Sequence, residues 1–127
     1  EYDAEVLGLL GEIYLRENEG DDIALRFCEK SVELSPDSLS LKLRLARVQI
    51  HCGDFPAAIK SLQSCLRNRQ TRPEALLQRG VISFEQGNQA AAAKWFNKIG
   101  SCVGSDQEMI KQARYYLKKM KKQGTKI

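Results

Sequence analysis

Residues 42–65 read Lys-Leu-Arg-Leu-Ala-Arg-Val-Gln-Ile-His-Cys-Gly-Asp-Phe-Pro-Ala-Ala-Ile-Lys-Ser-Leu-Gln-Ser-Cys. Leu45, Val48 and Cys52 recur at helical spacing. Gly53 can adopt the left-handed conformation that ends a helix. Asp54 can cap the next one, and Pro56 suits its first turn, where no backbone N–H is missed. Ala58, Leu62 and Cys65 then form a stripe at i, i+4 and i+7. Alanine is small where two helices approach closely. The stretch is therefore a helix, a tight turn and a second helix. A lone hairpin of this kind cannot bury its own apolar face and needs copies on either side.

The copies lie about 34 residues away. Forward, Gly53 falls on Gly87, Ala58 on Ala92, Leu62 on Phe96 and Cys65 on Ile99. Backward, Leu45 becomes Gly11 or Leu10, Ala58 becomes Ala24 and Leu62 becomes Cys28. The backward copy carries one extra residue, placed in the turn Glu17-Asn-Glu-Gly-Asp-Asp22, where insertions are tolerated best.

On these residues the chain resembles the tetratricopeptide repeat family, whose pattern is W-x2-L-G-x2-Y, A-x3-F and P. The first repeat shows Leu7, Leu10, Gly11, Tyr14, Ala24, Cys28 and Pro36. The second shows Leu45, Ala46, Gly53, Asp54, Ala58 and Leu62, with Lys42, Gln49 and Gln70 departing. The third shows Leu76, Gly80, Gly87, Ala92 and Phe96, with Arg79 and Ser83 departing. The resemblance implies an all-α, right-handed superhelical solenoid in one domain. Its three helix-turn-helix repeats fall at roughly 4–36, 39–70 and 73–104. A capping helix at roughly 105–122 and a basic tail over 118–127 follow.

Helical spacing predicts helices over 4–17, 22–34, 39–52, 55–68, 73–86 and 89–100, and a seventh to about 122. The first carries the apolar set Val6, Leu7, Leu10, Ile13 and Tyr14. Asp21 or Asp22 can cap the second, Pro73 can open the fifth, and Ser105 or Asp106 can cap the seventh. The last helix shows Ile110, Ala113, Leu117 and Met120 on one stripe. It reads as the first helix of a truncated fourth repeat, able to cover the third.

The chain of 127 residues has no apolar run long enough to cross a membrane, and its opening residues are not expected to form a signal peptide. It opens Glu-Tyr-Asp rather than with Met, so either it is cut from a longer chain or a leader has been removed; the cut is the expectation, with the chain part of a longer protein or complex. The net charge of +4 is uneven: residues 106–127 hold seven Lys and Arg against Asp106 and Glu108. Cys28, Cys52, Cys65 and Cys102 have no metal-ligand spacing, so reduced structural thiols in a cytoplasmic or nuclear protein are expected. His51 beside Cys52 is too little for a nucleophile–base pair, and glycines occur singly rather than in a phosphate loop. No enzyme, metal or cofactor is expected. Trp95 is expected to pack, with a surface contact as the alternative.

The resemblance also implies a concave groove lined by the first helix of each repeat. Its lining positions are Glu5, Leu9 and Glu12; Leu43, Arg44, Arg47, Ile50 and His51; Glu74, Leu77, Gln78, Val81 and Phe84; and Lys111, Gln112, Tyr115 and Lys118. Family members that hold a chaperone's C-terminal carboxylate use Lys and Asn, then Lys and Arg. Gly8, Glu12, Glu74 and Gln78 stand at those positions, so that clamp is not expected. Leu43, Leu77 and Val81 exposed on a polar face point instead to a protein partner. Arg44 and Arg47 share a helix face, with Lys111 and Lys118 facing the same groove, so an acidic segment with apolar anchors fits. Glu5, Glu12 and Glu74 would repel its acidic part at the other end. The function expected is a non-catalytic protein-interaction scaffold. The alternatives are a secretion chaperone holding an export substrate, and attachment to nucleic acid or anionic membrane through the C-terminal lysines.

Overall fold

The computed structural model describes residues 3–17, 21–102 and 106–122, and these residues form seven α-helices and no strand. They are α1 (Ala4–Arg16), α2 (Asp21–Leu34), α3 (Leu39–His51), α4 (Phe55–Arg67), α5 (Arg72–Glu85), α6 (Gln89–Ile99) and α7 (Gln107–Lys122). Each boundary lies within about one residue of the helical spacing read from the sequence.

Local chemistry explains the boundaries. Asp3, Ser38, Asp54, Asn88 and Asp106 each accept a hydrogen bond from the backbone N–H three residues on, which satisfies a donor the helix itself leaves open. Gly53 and Gly87 stand at φ +81° and +82°, which glycine adopts without the steric cost of a Cβ. Asp21 and Asp22 lie inside the first turn of α2 rather than at its cap, where their charge still suits the helix dipole. Ser105 and parts of the two expected turns, residues 18–20 and 103–105, lie outside the described residues, as does the tail beyond 122.

The chain divides into two compact units, residues 1–65 and 66–127. In the first, α1 packs on α2 and both pack on α3. Ala24, Cys28, Leu45 and Val48 form its core, with Tyr14, Leu15, Leu25 and Val32 against it. Valine is a mediocre helix former, a cost of well under ~1 kcal/mol. Complete burial of Val48 contributes about 1.5–3 kcal/mol, so packing decides. Gly11 lies against Cys28 so closely that a Cβ would overlap the sulfur. Ser31 Oγ donates to Ala4 O at 2.7 Å, tying α2 to α1, and Ser61 Oγ donates to Gln49 Oε1 at 2.8 Å, tying α4 to α3.

Val6 and Ile13, expected with the core stripe of α1, stay 38% and 49% exposed. The two correspond to Leu41 and Val48 on α3, 35 residues on, and Val48 is covered there by Ala24 and Cys28 of the preceding helix α2. Within this unit α1 has only α2 and α3 as neighbours, and neither covers that face.

In the second unit α5 and α6 form a hairpin and α7 packs on both. Leu76, Leu77, Ala92, Ala93, Phe96, Ile99, Ala113 and Met120 are its core. Ile110 and Leu117 complete the stripe of α7 against it, so α7 caps the hairpin as its periodicity implies. Tyr116 stacks on Phe96 at 5.1 Å between ring centroids and meets Phe84 edge-on at 5.2 Å.

The division sharpens the charge pattern. Residues 1–65 hold seven Lys and Arg against twelve Asp and Glu; residues 66–127 hold thirteen against four. The positive balance therefore belongs to the whole second unit and not only to its tail.

Candidate functional site

In the first unit the structure brings Glu5, Glu12, Arg44 and Arg47 together. Glu12 Oε1 lies 3.2 Å from Arg44 Nε and 3.1 Å from Arg47 Nη2, and Glu5 Oε2 lies 3.6 Å from Arg44 Nη1. Gly8 makes room for this: a Cβ there would stand 2.6 Å from Arg44 Nη1. The two acids are thus not a repelling far end of a groove. They neutralise the arginines in place, and an acidic segment reaching Arg44 has to compete with Glu12.

Leu9 is half exposed on α1 and Ile50 half-buried on α3. Leu43, expected on a polar face, is buried at 4% exposure. The buried set of α3 is Leu41, Leu43, Leu45, Ala46, Val48 and Gln49, which spans more than one stripe, because α3 is contacted by α1, α2 and α4. Single-stripe periodicity underestimates the burial of such a helix.

His51 Nε2 lies 3.3 Å from Asp21 Oδ1. Burial pushes the Cys52 thiol up, as do Asp21, Asp22 and Asp54, so it is held protonated rather than activated. None of the four cysteines is joined in a disulfide. Burial raises Cys28 to about 11, opposed by Arg44. Among the described residues no group of His, Cys, Asp or Glu is arranged to hold a metal, and no helix is long and apolar enough to cross a membrane.

In the second unit, Leu77 and Gln78 are buried, contrary to the expected groove surface. Leu77 belongs to the core under α6 and α7. Val81 and Phe84 are half-buried and pack on that core, leaving part of each open.

Lys111, Tyr115 and Lys118 all lie on the solvent face of α7, opposite Ala113 and Met120. Tyr115 is 59% exposed and is held edge-on against Tyr116 at 5.4 Å. The cation beside Phe84 is Lys119, whose Nζ lies 5.5 Å from that ring and 5.9 Å from Tyr115. Lys118 turns the other way, lining a depression of about 400 Å³ with Asn97, Arg114, Leu117 and Lys121. One step of helix rotation separates these fates, which residue spacing alone does not resolve.

Trp95 is half-buried, and the sequence reading is correct that it packs. The reading misses the surrounding cations. Arg79 Cζ lies 4.7 Å and Lys98 Nζ 5.1 Å from the Trp95 ring centroid, within cation–π range. Burial pulls Arg79 below its ordinary value. A depression of about 600 Å³ beside the indole is lined by Leu66, Arg69, Arg72, Leu76, Trp95, Lys98, Ser101 and Cys102. Arg72 and Arg79 stand seven apart on α5, and Lys98 three beyond Trp95 on α6, so helical periodicity carries part of this signal.

The family model described as Tetratricopeptide repeat matches residues 24–79, from α2 into α5. No curated protein matches the chain. Repeats of this family generally mediate protein–protein interaction and are typically non-catalytic.

Proposed function

We propose that this chain, which the tetratricopeptide repeat model matches over residues 24–79, is a non-catalytic protein-interaction module whose second unit holds an acidic segment of a partner protein. One observation carries this reading. Tyr115, more than half exposed, stands on α7 among Lys111, Lys118 and Lys119, in a unit with thirteen basic and four acidic residues. Tyrosine adds large contact area at low entropic cost, and the lysines supply orientation and on-rate. Partly open Val81 and Phe84 on α5 offer apolar contact in the same unit. Arg44 and Arg47 enter this reading only through displacement of Glu12. A cytoplasmic or nuclear setting, with thiols kept reduced, belongs to the same proposal.

The cations of α7 also favour a second reading, in which they bind a nucleic acid or an anionic membrane. One titration separates the two. A glutamate-rich peptide with one central aromatic residue is titrated calorimetrically against the protein and against Tyr115→Ala with Lys118→Glu and Lys119→Glu. At least tenfold weakening supports the protein-binding reading, and unchanged affinity sinks it. A thymidine oligonucleotide or phosphatidylserine vesicles that bind more tightly than the peptide at the same salt support the second reading.

A further inference from the structure

We propose that the depression beside Trp95 is a second docking site, which takes an acidic linear segment of a protein partner with one large aliphatic residue inserted among its acids. The site shares no residue with the Tyr115 surface, so it does not depend on that reading.

Two layers of chemistry define the occupant. Leu66, Leu76, the indole of Trp95 and Cys102 supply an apolar lining, and Arg69, Arg72 and Lys98 bring three cations to it. Among the described residues that line it, none is acidic. Arg72 is held in place: its Nε donates to Leu66 O at 2.9 Å, which leaves the rest of its guanidinium fork for a carboxylate. A volume of about 600 Å³ holds one aliphatic side chain with flanking backbone and carboxylates.

The same geometry argues against other anions. Arg79 and Lys98 already lie over the Trp95 ring, so a nucleobase cannot stack there without displacing them. The cations gather round a single depression instead of tracking a phosphate backbone. Inorganic phosphate would satisfy the charges and leave the apolar lining unused. An acidic segment with an aliphatic anchor uses both layers: burial supplies affinity, and the rim charges supply specificity and encounter rate.

Trp95 is the only tryptophan, so its emission reports on this site directly. The probe is an acetylated heptapeptide with a central leucine flanked on both sides by glutamates. Titration into the whole chain is expected to change Trp95 emission saturably. Replacing the central leucine by serine, or introducing Arg69→Glu with Lys98→Glu, is expected to weaken binding about tenfold, the range for lost charge or anchor contacts. Lys60→Glu, an exposed charge reversal outside both sites, is expected to leave the titration unchanged. Both reversed residues are exposed, and circular dichroism checks that the variant folds; if it does not, Lys98→Ala is used and at least threefold weakening is expected. The proposal is overturned by no saturable change at millimolar peptide, by equal affinity of leucine and serine peptides, by an unaffected charge variant, or by phosphate or a thymidine oligonucleotide competing as well as the peptide.

Discussion

The ring of Phe96 lies directly over Gly80: a Cβ on Gly80 would stand 2.6 Å from Cδ1 and 2.8 Å from Cζ of that ring. Phe96 cannot retreat easily, since it is 2% exposed and its other contacts include the stacked ring of Tyr116. Glycine to alanine inside a helix ordinarily stabilises by about 0.8–1 kcal/mol. Overpacking a rigid core costs about 1–3 kcal/mol. Here the second effect wins, so Gly80→Ala is expected to lower stability, and urea denaturation checks the sign. An increase in the midpoint at unchanged slope would count against this packing.

Ala92 sits at the same helix crossing and is fully buried among Leu76, Leu77 and Phe96. Ala92→Leu adds three carbons at a position that is 0% exposed within the core cluster. The expected loss is about 1–3 kcal/mol, read as a fall in melting temperature. An unchanged Tm would mean that the helix pair does not pack in this register.

Cys28 makes stability depend on alkaline pH. Its thiol is buried and its value rises from 9.0 to about 11. The folded state therefore keeps a proton that the unfolded chain releases. The contribution is fully present below pH 9 and is lost as pH rises toward 11, on the order of 2–3 kcal/mol by linkage. Burial likewise raises Tyr116, which acts in the same direction. Chemical denaturation from pH 8 to 11 is expected to show a falling stability whose slope is reduced in Cys28→Ala. An identical slope in the variant would remove Cys28 from the account.

Helix positions are legible in this chain because local signals agree with the global pattern. Gly53 and Gly87 end helices, Asp54 and Asp106 start them, and Ala24, Ala58 and Ala92 recur at a fixed offset. The surface is less legible. Leu43 and Leu77 look like groove residues on a single-stripe view, yet helices with neighbours on several sides bury them. Lys118 and Lys119 differ by one position and face different neighbours. The cations around Trp95 come from residues 69, 72, 79 and 98, and only folding gathers them. The pairing of Glu12 with Arg44 and Arg47 depends on how α1 lies on α3, a tertiary fact that carries no spacing signature.

That pairing changes what reversing the arginines tests. Arg44→Glu with Arg47→Glu, read from spacing alone, is a binding variant. In the structure Arg44 lies between two helices with its side chain 18% exposed, and Glu12 bridges it to Arg47. Arg44→Glu places a third carboxylate beside Glu5 and Glu12. The first unit is then expected to lose about 1–3 kcal/mol, more than an exposed pair costs and less than a fully buried one. The compensating exchange Glu12→Arg with Arg44→Glu restores opposite charges at the same contact. It is expected to recover part of the loss, a coupling of about 0.5–3 kcal/mol in a double-mutant cycle. Arg47, with its side chain 45% exposed, is expected to contribute less when truncated to alanine. Denaturation of the four members of the cycle measures this in the absence of any partner. Additive effects of the two single changes would show that Glu12 and Arg44 do not interact in solution, and would return Arg44 to the set of residues free to meet an acidic partner.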